Sequence, residues 1–511
     1  MLQRSRVLSA AVRGVEAEIV YVEVRIDPGL PSISILGLPD TAVRESRDRV
    51  RAAVLSSGLD FPTGRVLVNL APAHTRKEGP WFDLPIAVAI LAAGGFLPRA
   101  DLTRALLVGE LALDGSLRPT RGAIAVARAA VRAGIPQLYV ARGCAPTAAL
   151  VAGVSVLAVG DLYESMQVLT GASRVEPWSH EAAWKERDEA PSDEEPRLEE
   201  VAGQAAAKRA LVVAAAGGHN LLMVGPPGAG KTMLAQRLPG LLPPPSQDEA
   251  LEITQIQDLL RPGAPLAKRR PFRAPHHTAS RAGLVGGGAE GRPGEATLAH
   301  RGVLFLDELP EFDRACIEAL RQPLEDRRIV ISRASGSVSL PASFQLVAAM
   351  NPCPCGWAGH PIRPCVCLPR DRARYTSRVS GPLLDRIDLS VSLPAVTSGD
   401  LARPVAGPTT EQARAAVAAA RELQRERARE LRISSAHFEN ARIPARSLNK
   451  VAALDGPCKR LLEEAVEKLG LTMRAYGRTL RIARTLADLA SSPRIAAEHV
   501  AEAMGYRLPL V

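Results

Sequence analysis

The chain has 511 residues, 46% hydrophobic and 23% charged, with a formal net charge of +10, which calls for more than one globular domain and permits a polyanionic partner without demanding one. No uncharged apolar run is long enough to span a bilayer, the nearest (84–98) carrying two glycines, and Arg4, Arg6, Arg13, Glu16 and Glu18 interrupt the apolar core that a secretory leader needs. Seven cysteines, four of them clustered, suit a reducing cytoplasm and a metal site better than a disulfide framework, so a cytoplasmic protein with no membrane segment is expected.

Residues 1–170 alternate strand-like and helix-like segments. Residues 17–26 and 66–70 are rich in β-formers, 41–57 and 84–93 carry helical spacing, and 123–133 is built of good helix formers. Gly37-Leu38-Pro39-Asp40 reads as a turn with Asp40 as N-cap, and the whole predicts an α+β domain. Residues 171–200 change character: acids and prolines crowd 188–196 and large aliphatics almost vanish, which predicts a solvated tether, with Trp178 and Trp184 as local docking points.

The densest chemistry lies in 201–402. The apolar run Leu221-Leu222-Met223-Val224 feeds Gly225-Pro226-Pro227-Gly228-Ala229-Gly230-Lys231-Thr232, a G-x-x-x-x-G-K-[ST] loop that opens a helix. Glycines let consecutive backbone N–H groups wrap an anion, and the positive end of the following helix attracts it. Lys231 would reach the β- and γ-phosphates of ATP, and Thr232 would help hold Mg²⁺. The polar segment 269–301, with Arg273, His276-His277 and three consecutive glycines, is too rich in Gly and Pro for a regular element and predicts a structured functional loop. The histidines read as hydrogen-bonding groups rather than metal ligands.

Residues 302–308 then form a buried strand ending in Asp307 and Glu308, which places both carboxylates where an open α/β sheet binds ligands. Asp307 would hold Mg²⁺ through water and Glu308 would orient the attacking water. A β-hairpin is predicted over 328–340, with Arg333 closing its first strand and serving as a DNA-phosphate candidate only under the family resemblance given below, followed by a buried strand that ends in Asn351. Cys353, Cys355, Cys365 and Cys367 form two close pairs that fit a tetrahedral structural Zn²⁺ within an insertion at 353–367. The C-x-C spacing is tighter than usual and His360 lies between the pairs, so the ligand set stays open, with free or redox-active thiols as the competing reading. Arg386 sits between acids, either in a local ion pair or as a finger toward a neighbouring subunit's ATP. From 403 to 511 the chain is helical, with Arg474, Arg478 and Arg481 on one face.

Together these motifs resemble the AAA+ class, and within it the magnesium-chelatase-like ATPases of the ComM/YifB type. The resemblance runs over nearly the whole chain and is most specific at 271–277, 302–312, 351–356, Arg474-Ala475-Tyr476 and 483–489. It implies a P-loop core with a parallel sheet and a helical lid, Asn351 as sensor 1, Arg386 as the trans-acting finger, Arg474 as sensor 2, and a homo-hexameric ring. The front domain resembles a Lon-protease-like, ribosomal-S5-type domain through Lys77-Glu78-Gly79-Pro80, Val108-Gly109-Glu110-Leu111 and Gly122. Its nucleophile position is Trp81 and its base position Ile124, so the resemblance implies a peptidase-dead domain that binds a protein or supports assembly. The family further implies an ATP-driven motor on single-stranded or branched DNA, a helicase promoting branch migration when incoming strands are integrated. Competing readings are a chelatase-type ATPase that remodels a protein partner for metal insertion, and an ATP-switched assembly module.

Overall fold

A computed structural model describes residues 3–73, 77–97, 100–185, 195–287, 292–333, 336–397, 399–400, 407–432, 439–469 and 472–507. They divide into two compact units: Met1–Pro191 with Ser246–Lys268 and Val330–Leu340, and Ser192–Pro245 with Arg269–Ile329 and Pro341–Val511. Two stretches embedded in the motif-rich half of the sequence thus belong to the first unit.

The first unit contains β1 (Gln3–Arg13), β2 (Glu16–Asp27), β3 (Ser32–Leu36), β4 (Arg65–Ala71), β5 (Ala105–Leu107), β6 (Glu110–Leu111), β7 (Leu117–Arg118), β8 (Gln137–Ala141) and β9 (Ser155–Val159). Seven of these form one mixed sheet, in the order β3-β4-β2-β1-β5-β8-β9, while β6 and β7 pair separately. In β2, Val20, Val22, Val24 and Ile26 are buried while Tyr21 and Glu23 between them are only partly so and Arg25 is exposed, the period-two alternation of a strand with one face in a core. The helix Asp83–Ala93 is apolar on every side, and each residue from Leu84 to Leu91 except Pro85 is fully buried in the adjoining core. Its first-turn Asp83 is sealed from water and accepts from Nε and Nη2 of Arg49 at 2.8 and 3.1 Å, so this buried charge is paired. Of the two positions compared with a peptidase's nucleophile and base, Trp81 is half-buried and Ile124 is fully buried.

Within the stretch predicted as a tether, His180–Lys185 forms a short helix, and the Trp184 indole donates to the Leu150 carbonyl at 3.2 Å; residues 186–194 lie outside the described residues. Segment 246–268 begins with the helix Gln247–Asp258, started by a reciprocal capping box between Ser246 and Glu249. It ends on Asp258, whose carboxylate accepts from the amides of Ile124 (3.4 Å) and Gly263 (3.1 Å). The helix Ala123–Arg132 starts at Gly122 (φ +83°), which has no side chain to satisfy the first amides. Asp258 therefore does from a distant part of the sequence what an N-cap residue does locally. Thr147 donates to the Ala264 carbonyl at 2.8 Å and Gln255 bonds both Arg128 and the Val15 carbonyl, so the segment is anchored along its length.

The second unit carries β10 (Leu221–Val224), β11 (Phe272–Arg273) and β12 (Val303–Leu306). A separate pair follows, β13 (Arg328–Arg333) with β14 (Gly336–Pro341), most of which falls in the first unit. The second unit then adds β15 (Gln345–Met350) and β16 (Leu389–Ser392), and its sheet is ordered β11-β12-β15-β10-β16. Every pairing in this five-stranded sheet is parallel. Its central strands are buried on both faces, as continuous apolar runs such as Val303–Leu306 require. The helix Ala205–Gly217 and the C-terminal helices Thr410–Glu430, Met473–Leu489 and Ala497–Gly505 share one core with the strands. Segment 269–301, predicted as a loop, supplies the edge strand β11 and two short helices, Arg281–Val285 and Glu295–Leu298. Two residues make that strand because Phe272 stacks on Phe305 at 6.0 Å and the ladder of β12 is already in place. The side chain of Arg333 and the hairpin tip at 334–335 lie outside the described residues, while Val338 and Leu340 pack at the β1–β2 turn against Gly14.

Burial pushes the Asp258 carboxyl up from 3.8 to about 6, against the opposing pull of the amides. A carboxyl whose folded pKa is raised stabilises the fold below its unfolded pKa and loses that contribution as pH climbs through the folded value. Thermal midpoints should therefore show wild type losing stability relative to Asp258→Asn between pH 3.8 and about 6, and a difference independent of pH would contradict the cost of burying this carboxylate.

Candidate active site

All five parallel strands point their carboxyl ends the same way, so the residues that follow them converge. Val224 leads into the glycine-rich loop, Leu306 into Asp307-Glu308, Met350 into Asn351, and Arg273 into His276-His277. The register Val224↔Met350 sets the loop beside Asn351, and the Gly225 amide donates to the Met350 carbonyl at 3.2 Å.

Inside the loop Gly228 and Gly230 adopt φ of +78° and +88°, conformations that side chains resist. The helix Lys231–Leu241 starts at Gly230 without a side-chain cap, so its first amides remain available to an anion. Lys231 folds back and donates to the carbonyls of Gly225 (2.6 Å) and Pro226 (3.0 Å) and to Oδ1 of Asn351 (3.0 Å). Burial lowers the Lys231 pKa, opposed by the charges of Asp307 and Glu308, which favour the ammonium. Thr232 Oγ1 donates to Asp307 Oδ2 at 2.6 Å, a hydroxyl–carboxylate pair of hard oxygens whose chemistry fits Mg²⁺.

Glu308 has φ +50°, a left-handed conformation rare outside glycine, and its amide is held by Asp307 Oδ1 at 2.9 Å. That bend turns the Glu308 side chain away from its neighbour, and it stands about half exposed with His277 Nδ1 3.5 Å from Oε2. The His276 ring lies 4.1 Å from that of His277, and its Nδ1 is 2.9 Å from the Thr278 hydroxyl. The sequence marks both histidines as hydrogen-bonding but offers no way to see that His277 faces Glu308, because that contact depends on β11 lying next to β12. Arg273 is gripped by both oxygens of Glu295 at 2.6 and 2.8 Å and anchors the segment.

Two residues beyond Asn351 begins the cysteine cluster. All four Sγ atoms lie within 4.8 Å of one another, with Cys353, Cys355 and Cys365 mutually at 3.4 to 3.5 Å. A tetrahedral thiolate site with Zn–S near 2.3 Å needs sulfurs about 3.8 Å apart, so the donor set fits Zn²⁺. The Ala358 amide donates to Cys353 Sγ at 3.3 Å, while His360 Nδ1 accepts from the amides of Ile362 and Arg363 and stands outside the sulfur group. The cluster touches the glycine-rich loop: a Cβ at Gly356 would come within 2.6 Å of Pro227.

Arg386 and Arg474 lie elsewhere in this unit. They line a cavity of about 670 Å³ together with Arg327, Arg442, Arg478 and Arg481. None of residues 225–232 is among its described lining. Arg386 is mostly buried, reaches Glu325 and the Pro382 carbonyl, and leaves its Nε unpartnered among the described residues. Arg478 donates to the Ile387 carbonyl (2.8 Å) and to Asp385 (3.3 Å), and Arg481 to the Ile443 carbonyl at 2.8 Å. Burial and the charges of Arg442 and Arg301 push Arg327 down to about 10.

A five-stranded parallel sheet with this loop, this acid pair and this helical C-terminus defines a nucleotide-binding domain of the magnesium-chelatase-like ATPases. The profile described as magnesium chelatase, subunit ChlI, matches residues 197–401. Those described as subunit ChlI of Mg-chelatase and as the ChlI C-terminal part match 22–143 and 407–507. The chain is 44% identical over 503 residues to YifB of Salmonella typhimurium, covering 97% of this chain and 96% of that protein. It is 43% identical over 505 residues to the competence protein ComM of Haemophilus influenzae (98% and 97% covered) and 43% identical over 507 residues to YifB of Escherichia coli (98% and 97%). The chain belongs to the ComM/YifB-type magnesium-chelatase-like proteins. Among the described residues no helix is long and apolar enough to cross a membrane.

Lys231→Ala removes the loop's ammonium. Equilibrium titration with a fluorescent ATP analogue should show binding weakened on the order of a hundredfold, and unchanged affinity would dissociate the loop from nucleotide.

Proposed function

We propose that the protein is an ATP-hydrolysing motor that works as a homo-hexameric ring on single-stranded or branched DNA and promotes branch migration during strand integration in transformation or recombination. The observation that carries this reading is the convergence of Lys231, Thr232, Asp307, Glu308 and Asn351 at one sheet edge, with an arginine-lined cavity set apart from it. The name of the Haemophilus relative, a competence protein, supports the DNA-directed part.

In this reading the loop amides and the helix N-terminus hold the β- and γ-phosphates of ATP, and Lys231 exchanges the loop carbonyls for phosphate oxygens. Mg²⁺ held by Thr232 and, through water, Asp307 would neutralise charge on the phosphates. Glu308 orients a water and takes its proton, and Asn351 fixes the far side of the γ-phosphate while keeping Lys231 extended toward it. Arg386 and Arg474, sharing a cavity without the glycine-rich loop, act on the nucleotide of a neighbouring copy. Along the sequence the domains run as 1–170, 171–200, 201–402 and 403–511, with Ser246–Lys268 and Val330–Leu340 of the third grouped with the first unit. The first is peptidase-dead and docks a protein partner, Arg333 contacts DNA phosphate, and Zn²⁺ staples Cys353, Cys355, Cys365 and Cys367.

Glu308→Gln should bind ATP like wild type and release phosphate on the order of a hundredfold more slowly; wild-type turnover would remove the assignment. Mixing Arg386→Ala with Lys231→Ala subunits should restore part of the activity, and the absence of rescue at every ratio would place the arginine's action within its own subunit. Protein purified under reducing conditions should carry about one zinc per chain. A Cys355→Ser/Cys367→Ser variant should lose the metal and bind ATP more weakly through the Gly356–Pro227 contact. Four freely alkylated thiols in metal-free wild type would overturn the zinc assignment.

A further inference from the structure

The cysteine cluster projects a surface that the nucleotide chemistry does not use. Residues 357–378 contain five arginines (363, 370, 372, 374 and 378) and a single carboxylate, Asp371. Arg378 is committed to Glu311 at 2.8 Å. Arg363 and Arg374 are exposed and meet no carboxylate among the described residues, and Arg370, 82% exposed, has Asp371 only at 4.0 Å. Three guanidinium groups on one short segment thus face water without close counter-charge.

Interleaved with them are large apolar side chains that folding leaves bare. Ile362 is 84% exposed, Val366 80% and Leu368 50%. Val366 sits between two ligand-type cysteines, and Ile362 follows the turn that the His360 ring closes on the amides of Ile362 and Arg363. Trp357, half-buried beside them, carries the Arg363 guanidinium over its ring at 4.5 Å. These tips are held outward by a local frame of sulfurs and turns rather than by a helix face, so they make separate projections and not one continuous apolar patch.

We infer that this knuckle is a contact site for single-stranded DNA, with Arg363, Arg370 and Arg374 on consecutive phosphates and Ile362, Val366 and Trp357 against the bases. Unpaired charge of one sign matches a polyanion, whereas a folded protein partner would have to supply acids for each arginine and pockets for each tip. A single strand offers both phosphates and exposed base faces along one path, and Arg–aromatic platforms suit it without sequence preference. The inference rests on the DNA-motor reading and adds a contact outside the hairpin. Because the knuckle begins two residues after Asn351, strand contact would reach the site of hydrolysis through a short rigid connection.

The test is anisotropy of fluorescein-labelled oligodeoxythymidine with the full chain over a salt series. Arg363→Ala/Arg370→Ala/Arg374→Ala should weaken binding about tenfold or more and reduce the log–log salt slope by about 2, near 0.7 for each phosphate no longer neutralised. The Arg370→Lys/Arg374→Lys variant, which leaves the stacked Arg363 in place, should stay within about threefold of wild type, since these two positions would supply charge to phosphate. Zinc content and ATP affinity of both variants should match wild type. A photo-crosslinker replacing Ile362 should label the oligonucleotide. Wild-type affinity and slope in the alanine variant, or crosslinking to a second copy of the chain instead of DNA, would overturn the inference while leaving the motor reading intact. A wild-type protein that binds no single-stranded DNA would overturn both.

Discussion

The second unit depends on one constraint, the parallel alignment of β10, β12 and β15. A parallel ladder forces the carboxyl ends of neighbouring strands to one edge, so polar turns lying 75 and 120 residues beyond the glycine-rich loop join it in one surface. The Lys231–Asn351 and Thr232–Asp307 hydrogen bonds are its direct expression. A half-buried ammonium with no acceptor would be costly, and here it satisfies itself on the loop's own carbonyls and one amide oxygen. Those acceptors are exchangeable for phosphate oxygens, which makes the geometry both stable without ligand and ready for one.

Around this edge the molecule places groups of opposite tendency. The acids Asp307 and Glu308 share it with Lys231, and their charges partly offset the lowering that burial imposes on the ammonium. Several arginines collect in a different cavity, where Arg327 lies near Arg442 and Arg301 and Arg386 reaches Glu325. Separating the two populations keeps the carboxylates from being neutralised within the chain.

The first unit is held together differently. Its helix Ala123–Arg132 has glycine where a capping side chain is needed, and the cap arrives as Asp258 from a segment inserted between the glycine-rich loop's helix and β11. The backbone amides and the carboxylate satisfy each other in a place that water does not reach. Deleting residues 1–170 as though they were a separable domain would strip Ala250 and Leu251 of the core they share with that part of the chain.

Much of this was legible in the residues alone. The loop at 225–232, the acids after 302–306 and the asparagine after 345–350 are short-range patterns whose meaning lies in adjacent positions, and each strand-to-turn junction falls where the apolar runs indicate. The helices of the C-terminal part follow from the same periodicity. What tertiary structure alone decided are the pairings between distant positions: the two-residue β11 that brings His277 to Glu308, the gathering of Arg474 with Arg386 rather than with the loop, the clustering of four sulfurs apart from His360, and the transfer of 246–268 and 330–340 to the first unit. Local composition encodes propensity and burial, whereas these pairings depend on which strand finds which neighbour, and that is settled only when the whole sheet closes its core.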